Sequence, residues 1–224
     1  TGRQIKVFFY KIIQSGSENH VVCKDFLKKL IERGLRYEQR ILCVIDGAKG
    51  FRKAINEVFG IYGIVQRCQW HKRENILEYL PKKMQSEFRK KLQAAYEKED
   101  YEKAKAALMA IKKELRLINE SAVSSMEEGF EETLTVHRLG VPKELRKSLK
   151  TTNVIELVLA LVGQKTDKVD YWKNSDQKQR WVATALMDIE QRLNRVSGYR
   201  YLKNLRIALQ REIANAKRKE AVAA

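Results

Sequence analysis

Four residues of this chain have types and positions that could do chemistry: Asp46, Cys68, His71 and Glu156. Asp46 ends the apolar run in "RILCVIDG" and is followed by Gly47. Ligands of α/β sheets gather at the carboxyl ends of strands, and carboxylate oxygens there suit a hard cation such as Mg²⁺. Asp-Gly is also a common turn, and an Asp can cap a following helix. Glu156 lies in "TTNVIELVLALVG", the most apolar stretch of the chain. An ionised carboxylate is costly there unless it is paired or bound to a cation. The competing account is a capping box, with Asn153 as N-cap and Glu156 at the third helical position. Cys68 and His71, in "RCQWHK", have the spacing of half a zinc site. Of the remaining cysteines and histidines, only His20 and Cys23 form a second close pair, and no knuckle Gly or Pro surrounds either pair. A structural zinc is therefore not expected. Lys49, Arg67, Lys72 and Arg73 cluster around the two strand ends, and Arg180 stands on a basic stretch further on. They are candidates for contacting phosphates, against the plainer reading of solvated surface.

The elements that must position these residues are legible in the hydrophobic pattern. "IKVFFYKII" (5–13) is β-branched and aromatic and reads as a strand, with Ser17 as N-cap of the helix that follows. From Val22 on, Phe26, Leu27, Leu30 and Ile31 recur at helical spacing, and Gly34 suits the C-terminal end. Ile41 to Ile45 form an unbroken apolar run, the pattern of a parallel strand buried on both faces. Phe51, Ala54, Ile55, Val58 and Phe59 make a helical stripe closed by Gly60, and "GIVQRCQW" reads as a further short strand. The order β-α-β-α-β implies a three-layer α/β core occupying 1–71. Residues 72–150, bracketed by Pro81 and Pro142, read as an all-α insertion with Phe88, Leu92, Ala95, Ala104, Leu108, Ile111 and Leu115 on its apolar stripe. Residues 151–168 hold a short helix apolar nearly all round, hence expected to be buried, and 169–224 are helical again.

Lys and Arg outnumber Asp and Glu by 45 to 28, a net charge of +17, which suits a polyanionic partner, nucleic acid first among them. No window is long and apolar enough to span a membrane, and no secretory signal pattern opens the chain. Three cysteines without framework spacing point to a reducing, cytoplasmic setting.

"RGLRYEQRILCVIDGAKGFRKAINEVFGIYGIVQRCQWHKRENILEYLP", then "TTNVIE", then "VDYWKNSDQKQRWVATALMDIEQRLNRVSGYRYLKNL" resemble, in that order, segments of the Mutator-type transposases of bacterial insertion sequences. The resemblance implies a ribonuclease-H-like catalytic core, incomplete here because its first strand is missing, with a large all-α insertion and a helical C-terminal segment. It also implies three acids, two Asp and one Glu, holding two Mg²⁺ or Mn²⁺ ions. Asp46 matches the second acid and Glu156 the third, while Cys68 and His71 match a Cys-x-x-His signature between them. The implied partners are transposon-end and target DNA, in a homodimer or larger assembly in the bacterial nucleoid. The first Asp has no match: Glu18, Asp25, Glu32 and Glu38 precede Asp46, and none ends an apolar strand. The expectation is a chain truncated ahead of Thr1 that does not transpose alone. The alternatives are a non-catalytic basic nucleic-acid-binding remnant and a ribonuclease-H-like nuclease. Trp172, Trp181, Tyr199 and Tyr201 either stack on bases or, more ordinarily, pack helices.

Overall fold

The computed structural model describes residues 19–223. The expected strand at 5–13 and the Ser17 cap lie outside them. Strands β1 (Ile41–Ile45) and β2 (Gly63–Arg67) pair in parallel, Ile41 opposite Gly63 and Ile45 opposite Arg67. The crossover between them is helix α2 (Lys49–Phe59), and α1 (His20–Glu32) precedes β1. The Asn19 side chain caps α1 by accepting the Val22 N–H at 3.0 Å. At its other end Gly34 (φ +96°) turns the chain, with Gly34 N–H on Ile31 O and Leu35 N–H on Leu30 O. This is the paired closure that a left-handed glycine makes possible.

Helices α1 and α2 cover one face of the strand pair, burying Cys23, Leu27, Ala54, Ile55 and Phe59 with Ile45 and Val65. The opposite face packs Ile64 and Leu42 against Val136, Leu139 and Leu145 and against Leu205 and Leu209 of the last helix, α12 (Leu202–Ala223). The protein is mostly helical α/β with helices on both faces of the strand pair, but the second layer comes from 136–149 and 202–209, not from 1–71. One expectation holds only in part: both faces of β1 are covered, but its residues are mostly half-buried. Only Ile45 is fully buried, because among the described residues β1 pairs on one side alone.

The region after β2 is helical, as its apolar stripe requires. Helices α3 (Gln69–Glu78), α4 (Lys82–Tyr96), α5 (Tyr101–Arg116) and α6 (Glu120–Glu127) share one hydrophobic cluster. Phe88, Leu92, Ala95, Ala104, Leu108, Ile111 and Leu115 all lie in it. Pro81 and Pro142 each stand just before a helix, α4 and α9 (Lys143–Leu149). Proline is tolerated there because the first helical turn needs no donor from it. Two single-turn helices, α7 (Phe130–Thr133) and α8 (Thr135–Arg138), return the chain to β2. Thr135 Oγ1 donates to Val65 O at 2.7 Å, and the buried Gln66 side chain accepts Val136 N–H at 2.9 Å and donates to Thr133 O at 3.0 Å. Thr135 and Gln66 thus have the partners that burial demands, whereas Gln69 Oε1 and His137 Nδ1 beside them have none among the described residues.

Helix α10 (Asn153–Thr166) and helix α11 (Ser175–Arg192) form a hairpin with a small cluster of their own: Val158, Val162, Ala185, Leu186 and Ile189. The expectation that α10 is buried all round is overturned. Val154, Ile155, Leu157 and Leu159 are exposed, Leu159 by 59%. One helical partner covers one face of a helix, whatever the composition of the others. Between α10 and the end of α11 a groove of about 400 Å³ is lined by Val154, Leu157, Leu161, Ile189 and Leu193. Trp172 meets Trp181 edge-on at 6.4 Å, and Arg195 lies over the Tyr199 ring, so these aromatics have protein partners. No helix among the described residues is long and apolar enough to cross a membrane.

Candidate active site

Asp46 is the residue after β1, and its carboxylate is exposed. Oδ1 accepts the Ala48 N–H at 3.1 Å, the local turn that Asp-Gly favours. The turn is real, but Asp46 does not cap α2; Ala48 occupies that position without a side-chain bond. Gly47 takes φ +119°, which a side chain would rarely adopt.

The second strand end lies beside the first. Cys68 N–H donates to Ile45 O at 2.7 Å, extending the ladder one residue past β2, and Cys68 then heads α3. The next amide, Gln69 N–H, donates to Lys150 O at 2.9 Å, which brings the start of α10 to the same place. There the side chains of Cys68, His71, Thr152 and Glu156 meet. His71 Nδ1 lies 3.2 Å from Cys68 Sγ and 3.3 Å from Thr152 Oγ1, and Thr152 Oγ1 lies 3.4 Å from Cys68 Sγ. Thr152 donates to Glu156 Oε1 at 2.6 Å, and His71 Nδ1 is 3.9 Å from that same oxygen. Thr152, not Asn153, is the N-cap of α10 and makes no side-chain bond to the backbone, so the capping-box account of Glu156 fails. The carboxylate is not buried either: its side chain is 45% exposed.

Thr152 was not singled out by sequence. Its signal is the spacing "TNVIE", which sets a hydroxyl four residues ahead of a carboxylate, one helical turn away.

The cations divide. The Lys49 side chain is 89% exposed, with Glu128 Oε1 3.7 Å away, and Arg180 is exposed on α11. Arg67 and Lys72 are not surface charges, contrary to the expectation that they contact phosphates. Arg67 is 6% exposed and donates to Glu128 O at 3.1 Å, to Glu128 Oε2 at 3.2 Å and to Gly47 O at 3.5 Å. Its guanidinium passes between two glycines: a Cβ on Gly47 or on Gly129 (φ +68°) would lie 2.4 Å from it. Lys72 is 1% exposed and donates to Ser125 O at 2.7 Å, with Glu128 Oε2 at 3.4 Å. Burial, then the neighbouring Arg67, lowers its ammonium to about 8. Glu128 would be raised by its own burial, but Arg67, Lys72 and Lys49 outweigh this and hold it below the usual carboxylate range. Arg73 is largely covered and engaged by Glu74 at 2.9 Å and Gln93 at 2.5 Å. The burials of Arg67 and Lys72 were invisible in sequence because their partners arrive 61 and 53 residues later, at 128 and 125.

Asp46 and Glu156 are exposed carboxylates, the donor type that suits a hard divalent cation. Among the described residues no group of three or more His, Cys, Asp or Glu side chains is arranged to hold a metal. His20, the other half of the arithmetical zinc pairing, instead meets Glu57 of α2 at 2.9 Å.

Residues 6–195 match the family described as "Transposase, Mutator family". The chain is 31% identical over 192 residues to the transposase of insertion sequence element ISRM5 of Rhizobium meliloti, covering 86% of this chain and 47% of that protein. It is 32% identical over 142 residues to the transposase of IS6120 of Mycolicibacterium smegmatis, covering 63% and 42%. To the transposase of IS256 in transposon Tn4001 of Staphylococcus aureus it is 29% identical over 186 residues, covering 80% and 44%. The chain thus spans a little under half the length of these relatives. It belongs to the Mutator family of transposases.

Proposed function

We propose, with membership of that family as the premise, that this chain is the catalytic portion of an insertion-sequence transposase that cleaves and joins DNA strands by phosphoryl transfer. What supports the reading at the level of residues is the meeting of two chain segments. Cys68 is bonded to the residue preceding Asp46 and also lies against Thr152, which holds Glu156. A basic binding module has no need of an exposed acid on each of two segments that Cys68 joins. The core would be ribonuclease-H-like, with Asp46 and Glu156 as the second and third acids of the catalytic set and the first acid supplied from outside the described residues.

Asp46 and Glu156 would hold Mg²⁺ or Mn²⁺. When bound, such a pair of ions supplies the Lewis acidity that activates a water or 3′-hydroxyl and steadies the leaving oxygen. The chain's own contribution is orientation. Thr152 fixes Glu156, the Ala48 amide fixes Asp46, and Arg67 ties the loop behind Asp46 to the helical region. Lys49, one turn from Asp46 and almost fully exposed, and Arg180 are the surface cations placed to neutralise DNA phosphates and set register. The net charge of +17 makes that attraction strong and salt-dependent.

The test is nicking and end-joining of DNA by the complete protein in Mg²⁺ or Mn²⁺. Asp46→Ala and Glu156→Ala are each expected to abolish both reactions while leaving DNA binding in gel-shift assays intact. Cleavage that survives both substitutions would overturn the assignment. Cleavage without joining would identify a nuclease.

A further inference from the structure

The cluster at the start of α10 contains a hydroxyl that the two acids alone do not require. Thr152 Oγ1 has one proton and three polar neighbours: Glu156 Oε1 at 2.6 Å, His71 Nδ1 at 3.3 Å and Cys68 Sγ at 3.4 Å. The shortest contact, to a carboxylate, takes the proton, since charge-assisted bonds are the strongest available. The oxygen is then an acceptor toward the imidazole. His71 Nδ1 faces three electronegative atoms, Cys68 Sγ, Thr152 Oγ1 and Glu156 Oε1, all within 3.9 Å. A bare Nδ1 could accept only from the Cys68 thiol, a weak donor, and would set its lone pair against those of Thr152 and Glu156, whereas an Nδ1–H meets an acceptor in each of the three.

We infer that Thr152 is a positioning residue that couples the Cys68–His71 pair to Glu156. Its proton holds the carboxylate in one orientation, and its oxygen holds His71 as the Nδ1–H tautomer. His71 Nε2 is left as the acceptor of a ring that is a third exposed. The thiol of Cys68, fully buried, closes the third side of the hydroxyl and imidazole and keeps water from replacing either contact. The consequence for Glu156 is preorganisation. An exposed glutamate otherwise samples many rotamers, and ordering it costs side-chain entropy. Here that ordering is done before any cation arrives. Outer partners of this kind, which orient a ligating group without touching the metal, commonly change affinity by about 10- to 100-fold when removed.

The relay stands on contacts in the metal-free chain; its bearing on cations rests on the function proposed above, and two measurements separate the two. Two-bond ¹H–¹⁵N spectra of the imidazoles, with His71 assigned by His71→Ala among the three histidines, report the tautomer directly. The expected result is Nδ1–H in the wild type, lost or shifted in Thr152→Val and restored in Thr152→Ser, with thermal melts showing that all remain folded. An Nε2–H tautomer in the wild type, or a His71 signal indifferent to Thr152→Val, overturns the inference. Mn²⁺ titration followed by electron paramagnetic resonance tests the consequence. Thr152→Val is expected to weaken Glu156-dependent binding by about tenfold or more, with Thr152→Ser within about twofold of wild type. Equal affinity in Thr152→Val and wild type overturns the positioning role. Equal behaviour of Glu156→Gln and wild type instead removes the metal assignment, and the imidazole spectra alone then decide the relay.

Discussion

Leu108 on α5 and Leu159 on α10 are the same residue type in mid-helix, yet one is wholly buried and the other 59% exposed. The contrast extends to the regions that carry them. Helices α3 to α6 meet one another on several sides and bury one large continuous cluster, whereas α10 meets α11 and buries a small one. Apolar composition sets what a helix can bury; the number of neighbours sets what it does bury. The helical region is packed on several sides, and the hairpin that carries Glu156 packs mainly on itself. That division suits a scaffold on one side and a site-bearing element on the other, since elements tied down at few points occupy the low-stability end of a fold.

The comparison can be broken by substitution. Leu108→Ala removes a fully buried side chain from the large cluster and is expected to cost between about 2 and 5 kcal/mol in urea unfolding. A smaller loss would mean that the region is less well packed than described. Acidification probes the seam between that region and β2 through the buried His137 on α8, whose Nε2 meets Tyr96 O at 3.0 Å. Burial, then Arg146, lowers its imidazole from 6.5 to about 4. The unfolded chain therefore takes up the proton first as pH falls below 6.5, and stability drops until about pH 4. The loss attributable to this residue is at most about 3 kcal/mol, and His137→Gln is expected to flatten that limb of the stability curve.

Gly129→Ala acts at the Arg67 contact. It forces a Cβ against the guanidinium at a positive φ and is expected to cost about 2 kcal/mol. An Arg67→Ala background should absorb the steric part of that cost, because the clashing group is gone. Leu159→Ser, on the open face of α10, is expected to change stability by less than about 0.5 kcal/mol. A loss comparable to that of Leu108→Ala would show that this face is covered in solution. Native-state hydrogen exchange offers the same comparison without mutation, with α10 amides expected to exchange well ahead of those of α5.

What was legible in the sequence was local. The glycine closure of α1, the unbroken run of β1, the stripe of α4 and α5 and the strand-end position of Asp46 all follow from neighbours within a few residues. Glu156 was found because it interrupts an apolar run, though its surroundings were misread: the run is half solvent-facing, and the hydroxyl that holds it comes from Thr152. Arg67 and Lys72 were misassigned to the surface for a different reason. A cation next to a strand end looks the same in sequence whether solvent or Glu128 covers it, and only the return of the chain at 125–129 decides which. Long-range burial of charge has no local signature.

The hydrogen bond from Gln69 N–H to Lys150 O, described above as a junction, has a consequence for tolerance to change in length. The helical excursion leaves and re-enters at neighbouring amides, so its far side can grow or shrink without displacing either end. Chain entropy scarcely opposes this, each doubling of a closed loop costing only about 0.6 kcal/mol. Relatives or engineered variants could therefore carry larger or smaller helical bodies on the same doorway. The spacing between "CQWH" and "TTNVIE" is then free to drift, while the distance between Cys68 and Thr152 in space is not.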